Sequence, residues 1–317
     1  MRVAAVDLGT NSTRLLVADV DGGVKEVVRR LAITRLGEGV DERRRLLPLP
    51  IARVRNVLSD YRRELEALGA ERTLAVATSA VRDAENGEAF LGEIEWSYGF
   101  TTWLLSGAEE ARLTLRGIGA VAAGTLVVDI GGGSTELQIV GSGSWVSLDV
   151  GCVRLTERFG EDVEAIRSHV RPLLPELDAV RATGVAGTVT TLAALDLGLC
   201  EHDPARIHRH VIARKAVEEQ TARLQCLSLE ERAQLMEAGR APVIVAGAAI
   251  LAEILHRYGL DGIEASERDI LHGAALAAAE LPEPEEGAAP PVRIPAIRTR
   301  SRSPACVARG GPAPLQG

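Results

Sequence analysis

The chain has 317 residues, 46% of them hydrophobic and 25% charged, which is typical of a soluble globular protein long enough for two domains. Its net charge of −8 argues against a general nucleic-acid binder, and no apolar run reaches the roughly 20 residues of a membrane span. The four cysteines are scattered without a CxxC pair, which indicates neither zinc nor a disulfide framework. Because a strand pattern follows Met1 at once, we expect no signal peptide and a cytoplasmic protein.

Strands and helices alternate through the first half of the chain. In chain order, the apolar patterns predict a strand at 3–6, strands at 13–20 and 25–36, a helix at 50–68, a strand at 73–77, a helix at 83–94, a strand at 101–105 and a helix at 108–118. Such alternation is typical of an α/β fold, in which ligands bind at the carboxyl ends of the strands. We assign residues 1–121 to a first domain.

The second half begins with strands and is mostly helical afterwards. The patterns predict two strands within 127–143, a strand at 145–150, helices at 153–159 and 162–180, a strand at 182–186, helices at 188–197, 214–226, 228–238 and 241–258, a strand at 262–265 and a helix at 267–279. We assign residues 122–281 to a second domain. Residues 282–317 hold eight of the 14 prolines and few large apolar residues, so we expect a disordered Pro/Arg-rich tail.

Residues 127–143 combine a strand, a glycine turn and a second strand. Three glycines allow a ligand to approach the main chain, whose N–H groups form a concavity suited to an anion, and two hydroxyls add donors. The candidate phosphate-binding residues of this turn are Gly131, Gly132, Gly133, Ser134 and Thr135. Asp129 and Glu136 would repel a bare phosphate, and their presence is explained if a divalent cation lies between carboxylate and phosphate.

Residues 5–20 repeat this pattern, with Asp7 matching Asp129 and Ser12 matching Ser134. The candidate phosphate-binding residues of this copy are Gly9, Thr10, Asn11, Ser12 and Arg14. Arg14 aligns with Glu136 and could contact phosphate or that acid. Two copies predict a duplicated domain whose halves each present a phosphate loop to a shared cleft, with Asp7 and Asp129 as candidate metal ligands.

Several motifs together resemble those of the Ppx/GppA phosphatases, which are exopolyphosphatases and guanosine pentaphosphate phosphohydrolases of the actin/sugar kinase/heat-shock fold. They are DLGTNS at 7–12, ATSAVR at 77–82, SGAEEA at 106–111, DIGGGSTE at 129–136, DVGCVRLTERF at 149–159 and GVAGTVTTLAAL at 184–195. The resemblance runs from residue 3 to about 280 and is closest to the short two-domain form. It implies a duplicated actin-like fold with an interdomain cleft.

The resemblance also implies roles for individual residues. Glu110 is the expected catalytic base, and Glu136 a second catalytic glutamate that orients the water or holds Mg²⁺. Glu110 could also merely favour the first turn of a helix through its dipole. Arg82 is expected to contact phosphate, although a surface ion pair is the alternative.

Further residues are expected to contact the substrate beyond its terminal phosphate. Gly184, Gly187 and Thr188 lie where this fold holds a nucleotide, although close helix–strand packing would also require glycine. The segment 207–211, which includes His208 and His210, could grip a polyphosphate chain, but we interpret it as a solvated loop.

The expected function is an Mg²⁺-dependent exopolyphosphatase, with Mn²⁺ as another possible cation. The same chemistry on pppGpp is the alternative, alone or as a dual activity. A sugar or acetate kinase of the shared fold is disfavoured because SGAEEA and ATSAVR indicate water as the acceptor, and a non-catalytic nucleotide-binding regulator is disfavoured because both glutamates are present. A homodimer is expected by analogy with other members of the fold.

Overall fold

The computed structural model describes residues 1–282, and its first half is built on a five-stranded mixed sheet. The strands are β1 (Arg2–Leu8), β2 (Ser12–Val20), β3 (Val24–Ile33), β4 (Arg72–Ala77) and β5 (Thr101–Leu104). They lie in the order β3-β2-β1-β4-β5, with β1 antiparallel to β2 and parallel to β4. β1 is buried from its second residue onward, which explains why residues 3–8 are all apolar except Asp7.

Helices pack around this sheet. They are α1 (Val40–Arg43), α2 (Pro48–Leu68), α3 (Ser79–Asp83), α4 (Gly87–Tyr98) and α5 (Gly107–Ile118). α2 buries apolar residues at helical spacing, among them Val54 and Leu58, and ends where Gly69 adopts φ 68°. The single helix predicted at 83–94 is divided into α3 and α4, because the chain leaves helical geometry at Ala84 (φ −92°, ψ 133°).

The second half is built on a mixed sheet of six strands within the described residues. Its strands are β6 (Thr125–Ile130), β7 (Thr135–Ile139), β8 (Trp145–Leu148), β9 (Arg181–Val185), β10 (Val211–Ala213) and β11 (Gly262–Ala265). Their order is β10-β11-β9-β6-β7-β8, with β6 antiparallel to β7 and parallel to β9. β6 thus occupies the place in its sheet that β1 occupies in the first, so the predicted duplication is confirmed in the topology.

The helices of the second half are α6 (Cys152–Phe159), α7 (Val163–Val170), α8 (Ala186–Asp196), α9 (Pro204–Ile207), α10 (Arg214–Cys226), α11 (Leu229–Leu235), α12 (Ile244–Arg257) and α13 (Ile270–Ala279). The helix predicted at 162–180 was wrong beyond Val170, where a 3₁₀ turn at Arg171–Leu173 follows. Pro172 and Pro175 lack the N–H groups that an α-helix needs there.

Residues 208–210 of the segment 207–211 form a turn, as expected of a loop, but the two ends of the segment belong to regular elements. It contains the end of α9 and the start of β10, a strand that the sequence did not predict. His210 lies 2.6 Å from Asp196 through Nε2, so its ring packs against the end of α8.

The last described helix, α13, returns to the first sheet. Leu271 and Ala274 share a buried apolar cluster with Val3 of β1. α13 also crosses α5 closely, since a Cβ on Gly117 would lie 1.9 Å from the carbonyl oxygen of Asp269. This crossing brings Asp269, at the start of α13, to the ends of β1 and β2.

The division into domains at residue 121 stays a prediction. The expected disordered tail lies outside the described residues from residue 283 onward. Within residues 1–282, no helix combines the length and apolar character needed to cross a membrane.

Candidate active site

Two turns face each other across a narrow cleft: the first phosphate loop (residues 9–12, after β1) and the second phosphate loop (residues 131–134, after β6). A Cβ placed on Gly132 would lie 2.8 Å from the Cβ of Thr10, so the loops touch at a position that only glycine permits. The cleft holds a cavity of about 80 Å³, which we call the phosphate cavity. The two copies of the repeat therefore build one site.

Most of the predicted site residues line the phosphate cavity. They are Asp7, Gly9, Thr10, Asn11, Ser12, Arg14, Glu110, Asp129, Gly131, Gly132, Gly133, Ser134, Gly187 and Thr188. Four predicted residues lie outside its lining, namely Arg82, Thr135, Glu136 and Gly184. The buried Thr135 hydroxyl donates to the Val150 carbonyl at 2.5 Å. Gly184 packs tightly, because a Cβ there would lie 2.7 Å from Ile263 Cδ1.

The carbonyl groups of the second phosphate loop point toward α6. The Cys152 N–H donates to the Gly131 carbonyl at 3.0 Å, and the Val153 N–H donates to the Gly132 carbonyl at 2.8 Å. The N–H groups of Gly132 and Gly133 donate to no residue that the structure describes. Because one face of the loop is occupied by α6, its amides are available to an anion in the cleft.

The first phosphate loop is held in the same way by a different segment. The Gly37 N–H donates to the Thr10 carbonyl at 2.9 Å, and the Arg35 N–H donates to the Asn11 carbonyl at 2.9 Å. The N–H groups of Thr10 and Asn11 have no acceptor within residues 1–282. Each half thus contributes a pair of main-chain donors to the cleft.

Glu110 enters the phosphate cavity from the first turn of α5. Ser106 and Glu109 form a capping box that fixes the start of this helix, which gives Glu109 a structural role. Glu110 is buried, and its Oε2 accepts from Arg82 Nη1 at 3.2 Å. Arg82 also donates to the Leu105 carbonyl at 2.8 Å. Arg82 therefore holds the carboxylate of Glu110 and lies outside the lining of the cavity.

Asp129 and Glu136 form a buried carboxylate pair on the adjacent strands β6 and β7. Thr114 Oγ1 donates to Asp129 Oδ2 at 3.2 Å, and Ser147 Oγ donates to Glu136 Oε1 at 2.7 Å. The other oxygen of Glu136, Oε2, is buried and has no hydrogen-bond partner among the described residues.

Burial and mutual repulsion change the protonation of these acids. Burial, with a further contribution from Glu136, raises the pKa of Asp129 to about 8. Burial, followed by the charges of Glu136 and Asp129, raises the pKa of Glu110 well above its ordinary value. The pKa of Glu136 is also raised, mainly by burial, although the Ser147 and Ser134 hydroxyls oppose the shift. Full ionisation of all three acids is therefore unfavourable in the metal-free protein.

Arg14 does not contact Glu136, one of the two partners suggested by the repeat. Its Nε and Nη2 donate to Asp7 Oδ2 at 2.9 and 2.5 Å, and its Nη1 donates to Asp269. The register explains this, since Asp7 lies directly opposite Arg14 on β1 and β2. Burial opposes ionisation of Asp269, but Arg14 lowers its pKa far below the usual value.

Sequence reasoning missed three residues at the cleft: Arg154, Arg240 and Asp269. Asp269 accepts from the Leu271 N–H at 3.0 Å, and an acid just before the apolar run of α13 was a signal for this cap. Arg154 lies within the DVGCVRLTERF motif, and Arg240 precedes α12 in the sequence without any motif around it. Their contacts depend on the tertiary fold.

Comparison with known proteins decides the family. The model of the Ppx/GppA phosphatase family matches residues 15–279, which is most of the chain. The chain belongs to this family. The two equivalent mixed sheets agree with this assignment, so the expected duplicated actin-like α/β fold is confirmed.

Individual members of the Ppx/GppA family differ in how much of this chain they match. Exopolyphosphatase 2 of Mycobacterium tuberculosis is 40% identical over 88% of this chain and 98% of its own length. The crystal structure of an exopolyphosphatase-like protein has a TM-score of 0.81 and 32% identity, covering 87% of this chain and 98% of the other. A guanosine-5'-triphosphate,3'-diphosphate pyrophosphatase of Vibrio vulnificus is 34% identical over 61% of this chain and 43% of its length.

The carboxylates of this Ppx/GppA phosphatase fit a hard divalent cation. Asp7 and Asp129 line the phosphate cavity from equivalent strand ends, and the unpartnered Glu136 Oε2 lies beside Asp129. Within residues 1–282, no three acidic, His or Cys side chains converge closely enough to hold a metal alone. Mg²⁺ typically uses one or two carboxylates together with water and substrate phosphate, so this donor set suits it.

Proposed function

We propose that the protein is an exopolyphosphatase, which hydrolyses the terminal phosphoanhydride of inorganic polyphosphate with a water activated by Glu110. The observation that carries the proposal is the position of Glu110, a buried carboxylate with a raised pKa, beside a cavity bounded by two amide-rich loops. The resemblance in length and sequence to an exopolyphosphatase supports inorganic polyphosphate as the substrate.

In the proposed mechanism, the terminal phosphate binds to the amides of both phosphate loops. Water lies between Glu110 and the phosphorus, in line with the anhydride oxygen. The water oxygen forms a bond to phosphorus as its proton passes to Glu110, and the anhydride bond breaks to release the shortened polyphosphate. A raised pKa makes the Glu110 carboxylate a stronger proton acceptor, and Arg82 keeps this carboxylate oriented.

Mg²⁺ is the proposed cation, with Asp7 and Asp129 as the residues that would hold it and Glu136 beside them. When bound, it would neutralise charge on the phosphate oxygens. Without it, the carboxylates that line the cavity would repel the substrate. The cytoplasmic location and the homodimer stay predictions.

Hydrolysis of pppGpp is the second candidate function, and one feature favours it. A second cavity of about 490 Å³ adjoins the phosphate cavity and shares Arg14, Ala186, Gly187 and Arg240 with it. The hydroxyls of Thr190 and Thr191 and the amide of Gln234 are at its walls, together with apolar residues such as Met236. Its volume and mixed polarity would suit a nucleoside.

Phosphate release tests both candidates. Purified protein would be given tripolyphosphate, longer polyphosphates or pppGpp, each with Mg²⁺ or with EDTA. We expect Mg²⁺-dependent release from the polyphosphates. Release from pppGpp alone would transfer the function to the second candidate, and the absence of release from every substrate would overturn the enzymatic proposal.

A further inference from the structure

Ser79 is a buried serine of the ATSAVR segment to which the proposed mechanism gives no role. The residue is 2% exposed, and its hydroxyl oxygen has no hydrogen-bond partner among residues 1–282. A buried hydroxyl without a partner lowers stability, because it has lost its hydrogen bonds to water and gained none in return. The partner of this hydroxyl is therefore expected to come from outside the protein.

The fold brings Ser79 to the first phosphate loop. In the parallel pair of β1 and β4, Leu8 lies opposite Ala77. The first phosphate loop starts one residue after Leu8, and Ser79 lies two residues after Ala77, at the start of α3. Because both strands end at the same edge of the sheet, Ser79 lies beside that loop, and it lines the phosphate cavity.

Ser79 also touches the second phosphate loop, which belongs to the other half of the chain. A Cβ placed on Gly133 would lie 2.2 Å from Ser79 Oγ and 3.0 Å from Thr10 Oγ1. The Ser79 hydroxyl therefore lies directly against a glycine whose N–H group donates to no residue within residues 1–282. An anion bound to this amide would lie close to the Ser79 hydroxyl.

No local backbone group of the described chain takes up this hydroxyl. A helical serine often donates to the carbonyl four residues earlier, but that residue, Ala75, lies within β4. The Thr78 carbonyl already accepts from the N–H groups of Val81 and Arg82 at 3.1 and 3.0 Å. Ser79 also lines a third cavity, but its volume of about 10 Å³ is at the lower limit for a single water. The phosphate cavity, of about 80 Å³, is the better place for the missing partner.

We infer that the Ser79 hydroxyl donates a hydrogen bond to a non-bridging oxygen of the terminal phosphate. The inference rests on the proposed hydrolase function, in which this phosphate lies between the two phosphate loops. The hydroxyl adds a donor from α3 to the free amides of the loops. α3 also carries Arg82, whose Nη1 donates to Glu110 at 3.2 Å, so one short helix contributes both to the phosphate site and to the position of the base.

This contact has a consequence for which ligands depend on Ser79. Negative charge on the transferred group is spread over its three non-bridging oxygens, in the bound substrate and in the transition state. The product orthophosphate carries the same oxygens and occupies the same cavity. Removing the hydroxyl should therefore weaken the turnover of polyphosphate and the binding of orthophosphate together.

Ser79→Ala tests the inference, with Thr125→Val as its matched control. The Thr125 hydroxyl, at the start of β6, is also buried without a partner in the described chain, but Thr125 does not line the phosphate cavity. For Ser79→Ala we expect kcat/KM on tripolyphosphate to fall about 10- to 100-fold, the range for losing a hydrogen bond to a charged group. The affinity for orthophosphate, measured by titration calorimetry with Mg²⁺, should fall by the same factor.

The control should change neither quantity. Neither variant should lower the melting temperature, because each removes a hydroxyl that bonds to no protein group. A lower melting temperature for Ser79→Ala alone would show that the hydroxyl serves the fold, and it would overturn the inference.

The remaining outcomes separate the contact from the function itself. If the unmodified protein releases no phosphate from tripolyphosphate, the proposed function fails, and the orthophosphate titration still tests the contact. If Ser79→Ala matches Thr125→Val in kcat/KM and in orthophosphate affinity, the inference is wrong. A loss of kcat/KM with unchanged orthophosphate affinity would also overturn it, since the hydroxyl would then act on another group, such as the attacking water.

Discussion

At the scale of single residues, Glu109 and Glu110 carry the same side chain in different surroundings. Glu109 is exposed, and its carboxylate accepts from the N–H and the hydroxyl of Ser106 at 2.8 and 2.7 Å. Glu110 lies one residue further along α5, about 100° around the helix, and is buried beside the cavity. The position on the helix, and not the residue type, decides which glutamate lines the phosphate cavity.

Replacing Glu110 with Gln should lower the rate of phosphate release by about 10²-fold or more, because the amide cannot accept the proton of the attacking water. Substrate binding should persist. The substitution should also raise the melting temperature, since it removes a buried carboxylate whose pKa shift shows that its charge is unfavourable there. Release assays, equilibrium binding and calorimetry measure these effects.

Glu109→Gln is the matched control for that substitution. Gln at this position can still close the capping box, so activity and melting temperature should both stay near those of the unmodified protein. Full turnover by Glu110→Gln, or an equal loss in both variants, would remove Glu110 from the mechanism.

Asp129 gives the metal-free protein a specific pH dependence. Its pKa is about 8 in the folded state against 3.8 ordinarily, so folding takes up a proton between these values. The free energy of unfolding in EDTA should therefore fall as the pH rises from about 4 to about 8. Urea denaturation at pH 5, 6, 7 and 8 measures it.

Mg²⁺ and Asp129→Asn provide the comparisons for that pH series. The cation should restore stability at the alkaline end by pairing with the ionised carboxylate. The amide should reduce the pH dependence to the part that Glu110 and Glu136 contribute. A stability that rises with pH in EDTA would contradict the assigned protonation.

At the scale of elements, the second phosphate loop depends on the position of α6. A Cβ on Gly151 would lie 2.3 Å from the Gly132 carbonyl oxygen, so the helix reaches the loop only because this residue lacks a side chain. The Gly151 backbone is extended (φ −140°, ψ 159°), a conformation open to any residue. The requirement for glycine is therefore one of space.

Gly151→Ala should push α6 away from the second phosphate loop and lower kcat by about 100-fold, as expected for a displacement near 1 Å in a catalytic site. Gly92→Ala in α4 is the control, because a Cβ there meets nothing within 4 Å. This control should keep full activity and gain about 0.4–1 kcal/mol of stability. Similar kinetics for both variants would show that the loop does not depend on α6.

Local patterns in the sequence predicted the elements that carry the loops, but not the contacts between distant segments. Both loops and Glu110 were predicted because the residues of each motif are contiguous. The end of α7 at Val170 was missed, although Pro172 was visible two residues later. Arg240 was missed for a different reason: its place beside Gly187 depends on how α12 packs against α8, which no local pattern encodes.

At the scale of the whole molecule, Arg154 connects the two halves at the cleft. Its side chain is 8% exposed, and its Nε donates to the Gly133 carbonyl at 2.7 Å. Its Nη2 donates to Asp83 at 2.5 Å, and its Nη1 donates to Asp41, both in the first half. One guanidinium thus joins the second phosphate loop to α1 and α3.

Arg154→Met should lower the free energy of unfolding by about 3–5 kcal/mol, because it leaves two partly buried carboxylates without their cation. Arg158→Met is the control, since Arg158 also donates to Asp41 but is 43% exposed, and it should cost at most about 1 kcal/mol. Urea denaturation measures both. Equal effects of the two variants would show that Arg154 does not join the halves.

The most direct test of the account is a crystal structure of Glu110→Gln with Mg²⁺ and tripolyphosphate. We predict that the terminal phosphorus lies between residues 9–12 and 131–134, within hydrogen-bonding reach of the free amides of both loops, with Mg²⁺ bound by Asp7 or Asp129. A tripolyphosphate bound by one loop alone, or outside the cleft, would contradict the claim that the two halves form a single phosphohydrolase site.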